Sequence, residues 1–300
     1  AGEFTKVGLA GGQFLKIGIG ARGTGMAGAY SGISNDLTSI YWNPAGIGQI
    51  KGYAADFSHT FWFAGMSHSF AAASIPLSDK FRIAASFVGF NSGNINVTTT
   101  AFPDGTGEVY SVSDVALGLT LAGQLTEQFS FGATARFVNH AFTNLSASGF
   151  VFDLGTRYDT EFNGIVLGFS VNSLGTPQSY GGQNLVTETQ PIGGLNASPI
   201  DVALLTSNFE MPLSFRAGIG VNMFDGMLSN RPETDADGTV IHDWLVAADF
   251  ETYTDVPEQF AIGSEYTFRE FVSFRAGYRF GNDNFGLSGR IGLKYISQGF

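Results

Sequence analysis

Phe129-Ser130-Phe131-Gly132-Ala133-Thr134-Ala135-Arg136-Phe137 alternates without a break. Successive side chains of an extended chain point to opposite faces. Phe129, Phe131, Ala133, Ala135 and Phe137 therefore share one face, and Ser130, Gly132, Thr134 and Arg136 the other. The pattern recurs. Val272, Phe274, Ala276, Tyr278 and Phe280 oppose Ser273, Arg275, Gly277 and Arg279. Phe260, Ile262, Tyr266 and Phe268 oppose Gly263 and Glu265, and Phe150, Phe152, Leu154 and Tyr158 oppose Asp153 and Arg157. Trp244, Val246, Ala248 and Phe250 oppose Asp243, Asp249 and Glu251, with Leu245 and Ala247 as apolar exceptions on the second face.

These strands run to roughly 9–13 residues, longer than the usual 5–6 of soluble sheets and long enough to cross a tilted bilayer. One face is aromatic, and the other carries Gly with Arg, Asp and Glu. A polar interior and a lipid-facing aromatic exterior is the plan of an outer-membrane barrel. The expected fold is all-β: a transmembrane, antiparallel, up-and-down β-barrel. About twelve strands are expected, near 51–62, 65–76, 80–91, 112–123, 127–140, 148–158, 161–172, 212–222, 241–252, 257–268, 270–281 and 285–296.

Composition agrees. The chain has 300 residues, with Lys+Arg 15 against Asp+Glu 26 and a net charge of −11. Charged residues make up 14%, against roughly 25% in ordinary soluble domains. There are 41 Gly and 29 Phe. No basic surplus exists to neutralise phosphates, which excludes nucleic acid as a default partner. With no cysteine, disulfides and thiolate chemistry are excluded. No apolar run approaches the length of a transmembrane helix. Ala1-Gly2-Glu3 suits a mature chain after leader cleavage.

The connections point the same way. Leu77-Ser78-Asp79-Lys80-Phe81 and Leu125-Thr126-Glu127-Gln128-Phe129 are short turns of one design, and Asp159-Thr160-Glu161-Phe162 and Phe268-Arg269-Glu270-Phe271 are looser copies. By count they fall at alternate connections, hence at one end. Long segments at 92–111 and 173–211 fall at the other, as in barrels with short periplasmic turns and long outer loops. The acidic segment 223–240 breaks this rule: it is long, yet by count lies at the short-turn end.

Residues 1–50 are Gly-rich and poorly periodic, as expected of a plug whose backbone runs close to the wall. Residues 51–300 are expected to form the barrel. Gln13-Phe14-Leu15-Lys16-Ile17-Gly18, Ala21-Arg22-Gly23-Thr24-Gly25-Met26-Ala27-Gly28-Ala29-Tyr30, Asn35-Asp36 and Tyr41-Trp42-Asn43-Pro44-Ala45-Gly46 follow in this order. They resemble the amino-terminal signature of the PorV/PorQ family of FadL-like outer-membrane barrels. Gly105-Thr106-Gly107-Glu108, Leu125-Thr126-Glu127-Gln128-Phe129-Ser130-Phe131-Gly132, Phe152-Asp153-Leu154-Gly155-Thr156-Arg157-Tyr158 and Pro212-Leu213-Ser214-Phe215-Arg216-Ala217-Gly218 extend the resemblance over most of the chain. The resemblance implies fourteen strands, more than the alternation yields: either this is a short member of the family, or the chain stops at Phe300 before its natural end, the reading preferred here.

Motifs for chemistry are weak. Gly18-Ile19-Gly20-Ala21-Arg22-Gly23 matches a dinucleotide fingerprint, but no βαβ pattern or correctly spaced acidic residue follows. Glu233, Asp235, Asp237 and Gly238 imitate a calcium loop, but Trp244 stands where the bidentate Glu belongs. His59, His68, His140 and His242 have no metal-ligand spacing. No catalytic motif is present, so no enzyme, metal or cofactor is expected. Asn43, Pro44 and Ala45 form a plug turn. Asp153, Arg157, Arg216, Asp249, Glu251, Glu265, Arg275, Arg279 and Arg290 are expected to face the lumen. They would act either as ion pairs holding plug to wall or as a selectivity path.

The resemblance implies a bacterial outer-membrane component of type IX secretion. Such a protein associates with a large SprA/Sov-like translocon barrel and passes secreted cargo onward. Outer loops would carry the contacts, with Phe102, Tyr110, Tyr180 and Leu185 as candidates. One alternative is a FadL-type uptake channel with a lipid or fatty-acid ligand in an apolar pocket. A second is a self-assembling structural subunit of the membrane.

Overall fold

The structure, a computed structural model, describes residues 10–189, 200–224, 234, 238–281, 290–291 and 297–298. Eleven long strands form the wall: β1 (Ala54–Phe61), β2 (Ser67–Pro76), β3 (Phe81–Asn91), β4 (Val112–Gln124), β5 (Phe129–Phe142), β6 (Leu145–Asp159), β7 (Ile165–Gly175), β8 (Ser214–Asn222), β9 (His242–Tyr253), β10 (Gln259–Phe268) and β11 (Val272–Gly281). Each pairs antiparallel with its neighbour in chain order. Two short pieces, Arg290–Ile291 and Ser297–Gln298, pair with β11. The first eleven expected strands each overlap one of these, with ends displaced by a few residues. The expected strand 285–296 falls largely outside the described residues.

The faces sort as the alternation requires. Along β5, Ser130, Gly132, Thr134, Arg136, Val138 and His140 are buried, while Ala135 and Phe137 are exposed. Phe57, Leu117, Leu119, Phe150, Phe169, Ile219, Ile262 and Phe274 are likewise exposed. An apolar belt on the outside and small or charged residues inside is inverted relative to a soluble sheet.

The turns at 77–80, 125–128, 160–164 and 269–271 all join strands at one end. The connection after β8 lies at that end too. β8 and β9 pair in continuous register from Ser214↔Tyr253 to Asn222↔Leu245, so the long acidic segment is an insertion at the short-turn end, not a slip in the strand count.

Residues 10–50 form a compact segment of short turns against the inward faces of the wall. It holds a 3-10 turn at Gln13–Lys16, α1 (Ala21–Gly25), α2 (Ser39–Trp42) and a second 3-10 turn at Pro44–Gln49. Phe14, Ile19, Met26, Tyr30, Ile40, Trp42 and Ile47 are buried there with Phe70, Val88, Val138 and Val151 of the wall. Asn43 caps the second turn: Ala45 N–H donates to its Oδ1 at 3.2 Å, and Pro44 follows at the first position, where no N–H is needed. All wall pairing is antiparallel and α1 has five residues, so the Gly18–Gly23 motif is not part of a nucleotide-binding βαβ unit. Gly23 instead lies under Trp42.

Candidate functional site

The wall accepts this segment through three cross-strand glycine pairs. Gly132 opposes Gly155 across β5 and β6, Gly168 opposes Gly218 across β7 and β8, and Gly263 opposes Gly277 across β10 and β11. A Cβ at Gly132 would strike the Pro44 carbonyl, and one at Gly155 would strike Asn43 Oδ1. One at Gly168 would strike Ser31 O, and one at Gly263 or Gly277 would strike Met26. Backbone lies on backbone at these points, an approach that only glycine permits.

Side chains complete the seal. Asn43 Nδ2 donates to Ser31 O at 2.8 Å and to Thr156 O of β6 at 3.0 Å. Gln49 Nε2 donates to Ser130 Oγ at 2.6 Å, and Ser170 Oγ to Trp42 O at 3.0 Å. Arg216 Nη1 donates to Tyr41 O at 2.8 Å and Arg279 Nε to Ala27 O at 2.8 Å. Ser31 N–H donates to Asp249 Oδ2 at 2.8 Å.

The charged residues read from the sequence fall into separate groups. Arg216 and Arg279 both pair with Glu251. Arg275 and Arg22 both pair with Glu265. Asp153, 0% exposed, pairs with Arg136 and accepts Ser173 N–H at 2.7 Å, opposite a bulge in β7. Arg157 faces inward from β6, half-buried, its Nε without a hydrogen-bond partner. The side chain of Arg290 lies outside what is described. Sequence reading missed two partners, Arg22 and Arg136. Arg136 stands at an inward position of an alternating strand, which was the available signal; Arg22 lies in the aperiodic segment, where no period marks a face.

The inward faces are mixed: β2–β6 present Phe70, Ala72, Ala84, Val88, Ala116, Val138 and Val151 beside Arg82, Arg136 and Asp153. Leu245 and Ala247, the exceptions on β9, also face inward, and Leu245 packs against the core. The gap left among Gly28, Arg216, Asp249, Glu251 and Arg279 is too narrow to admit a water molecule. Within the plug, Tyr30 OH donates to Asp36 Oδ2 at 2.6 Å. Burial holds this phenol well above its ordinary pKa, and the nearby Asp36 carboxylate adds to the shift against the pull of Arg22.

At the opposite end from the short turns, the long segments fold back over the mouth. Gln178 and Phe209 exchange backbone hydrogen bonds at 2.9 and 2.8 Å, and Gly11 N–H donates to Glu210 O at 2.8 Å. Phe14 and Phe209 flank His140, at ring distances of 5.6 and 5.9 Å. His140 Nδ1 lies 3.0 Å from Asp114 Oδ1. Lys16 pairs with Asp255. Of the four expected contact residues, Phe102 is exposed. The other three are half-buried. Tyr110 lies edge-on to Phe142, the Leu185 backbone carbonyl accepts Leu204 N–H, and the Tyr180 and Phe209 rings lie 5.3 Å apart. Burial, with Asp114 nearby, raises the Tyr180 hydroxyl. Exposed apolar positions lie elsewhere, at Val186, Ile200, Leu204 and Leu205, the last 97% exposed. Among the described residues no group of three His, Asp or Glu is placed to hold a metal ion. The calcium-like segment lies almost entirely outside the described residues.

No protein-family model matches the chain, and no curated protein matches it in sequence. Solved structures do match. The TodX monoaromatic hydrocarbon channel deltaS2 mutant superposes with TM-score 0.58 at 16% identity, covering 88% of this chain and 82% of that one. The P. putida toluene transporter TodX gives 0.55 at 17%, covering 88% and 83%. The TodX deltaS2S3 mutant gives 0.55 at 15%, covering 94% and 87%.

The chain has the fold of a TodX-like outer-membrane β-barrel. The exposed apolar belt is thereby the lipid face, and the end bearing 92–111 and 176–213 is the outer mouth. In this TodX-like barrel, every hydrogen bond described from residues 10–50 to β5–β11 is a contact across the lumen.

Proposed function

We propose that this barrel works at its outer mouth and not through its lumen, as an outer-membrane adaptor of the type IX secretion kind that binds a translocon barrel and secreted cargo. Two things support the reading: the sequence resemblance to PorV/PorQ proteins, and the seating of residues 10–50 on the wall. The second carries it. Opening a path would break the ion pairs Arg22–Glu265 and Lys16–Asp255 and lift backbone off three glycine pairs. Stranding a buried charge costs about 3–5 kcal/mol for each pair broken.

A second reading is an uptake channel for hydrophobic small molecules. It is favoured by the TodX comparisons, whose members are hydrocarbon channels, and by the apolar side chains, among them Phe70, Val88, Val138 and Val151, on the inward faces of β2–β6. The fold comparisons speak for this reading, and the lumen contacts for the adaptor.

A mild-detergent pull-down of the tagged full-length protein from its own outer membrane, read by mass spectrometry, separates them. Recovery of a giant barrel protein or of secreted cargo supports the adaptor. Recovery of the protein alone with bound lipid or hydrocarbon overturns it in favour of the channel.

A further inference from the structure

Two long segments of the outer mouth carry negative charge with no Lys or Arg of their own. Segments 92–111 and 176–213 contain Asp104, Glu108, Glu188, Asp201 and Glu210 but no Lys or Arg. Two of these carboxylates are placed against each other. Val186–Thr189 and Ile200–Ala203 form an antiparallel hairpin in which Glu188 lies directly opposite Asp201, and Val186 opposite Ala203. These four side chains share one face by the period of two, and all four residues are exposed. Like charges directly opposite destabilise a pair of strands, and among the described residues neither carboxylate has an ion-pair partner. Leu204 and Leu205, directly after this strand, are exposed.

We propose that this hairpin face docks a basic polypeptide segment with apolar anchors. Lysine or arginine side chains would sit between Glu188 and Asp201, and aliphatic ones against Val186, Ala203 and Leu205. The two requirements meet in one kind of partner. A cation would satisfy the carboxylates but has no use for exposed leucines, and among the described residues no third acidic ligand joins the pair. A lipid tail would use the leucines but not the carboxylates. Exposed charges act mainly on encounter rate and specificity, while desolvated apolar side chains hold the complex. This partner chemistry deepens the adaptor reading and rests on it.

The test uses the full chain in detergent and two labelled peptides, one alternating lysine with valine and one alternating glutamate with valine, followed by fluorescence anisotropy. The lysine peptide is expected to bind tighter and to weaken as salt rises. Glu188→Lys with Asp201→Lys is expected to lower its affinity about tenfold, and Leu205→Ser to lower it at unchanged salt dependence. Heat-modifiable gel mobility checks that each variant still folds. Equal binding of both peptides, or no effect of the double variant, overturns the proposal. Calcium bound at the hairpin by calorimetry and competing with the peptide also overturns it, in favour of a cation site. The two readings fail separately. A pull-down that recovers the same partner from wild type and double variant leaves the adaptor standing without this surface. Lysine-peptide binding with an empty pull-down leaves this surface standing without the adaptor.

Discussion

The lumen wall at β8–β11 and the outer hairpin treat acidic residues in opposite ways. Glu251 and Glu265 are buried, and each has two arginines. Glu188 and Asp201 are exposed and have each other. A buried carboxylate without a partner is too costly to keep, so the lumen pairs describe how the protein holds itself together. An exposed one costs little, so a like-charge pair at the surface persists only where stability does not select against it. Self-sufficiency marks the structural region, and unmet valence marks the region turned towards something else.

The largest effect that sharpens this contrast is expected in the lumen. Arg136→Ala leaves Asp153, 0% exposed, without its counter-charge. It should cost about 3–5 kcal/mol, read as a lower urea midpoint for the loss of heat-modifiable mobility. Arg136→Met with Asp153→Leu should recover most of that loss. If the single variant is as stable as wild type, the pair is not structural and the contrast fails.

Gly155→Val comes next. Its side chain would overlap Asn43 Oδ1 and Pro44, a loss of about 1–3 kcal/mol, with residues 10–50 becoming sensitive to protease. Asn43→Ala removes two donors to backbone carbonyls and the cap on Ala45 N–H. It should cost about 1–2 kcal/mol.

The smallest effects belong to the hairpin, and one reverses sign. Leu205→Ser should change stability by less than about 0.5 kcal/mol. Glu188→Lys turns a like-charge pair into an opposite-charge one and should stabilise the hairpin by about 0.2–1 kcal/mol. Slower amide exchange in 186–189 and 200–203 is the readout. A destabilised hairpin would show that Glu188 already has a counter-charge.

The sequence made the wall legible because a period of two is local: β5 and β11 can be read residue by residue. Inward charge was legible for the same reason, down to Asp249 and Glu251. What could not be read is who meets whom. Arg22 and Glu265 are 243 positions apart, and nothing in the local pattern of either names the other. The glycine pairs were visible as glycines but not as pairs, since opposition depends on register. The apolar members of the inward faces of β2–β6 were missed because Ala72, Ala84 and Ala116 are small enough to read as neutral filler. Exposure in loops has no period, so the sequence does not separate half-buried positions such as Tyr110 and Tyr180 from a fully exposed one such as Leu205.

The separation between Ala27 and Arg279, 252 positions, carries a kinetic consequence. Residues 10–50 are made well before their polar partners on β10 and β11. Contacts of such long range reward the chain only after most of the loop-closure entropy has been spent. Residues 10–50 must therefore wait, with buried-type side chains such as Trp42 and Ile47 uncovered, until the wall grows around them. The nascent chain is a client for whatever shields apolar segments on the way to the membrane, and the glycine pairs are where the last strands close over a template already in place.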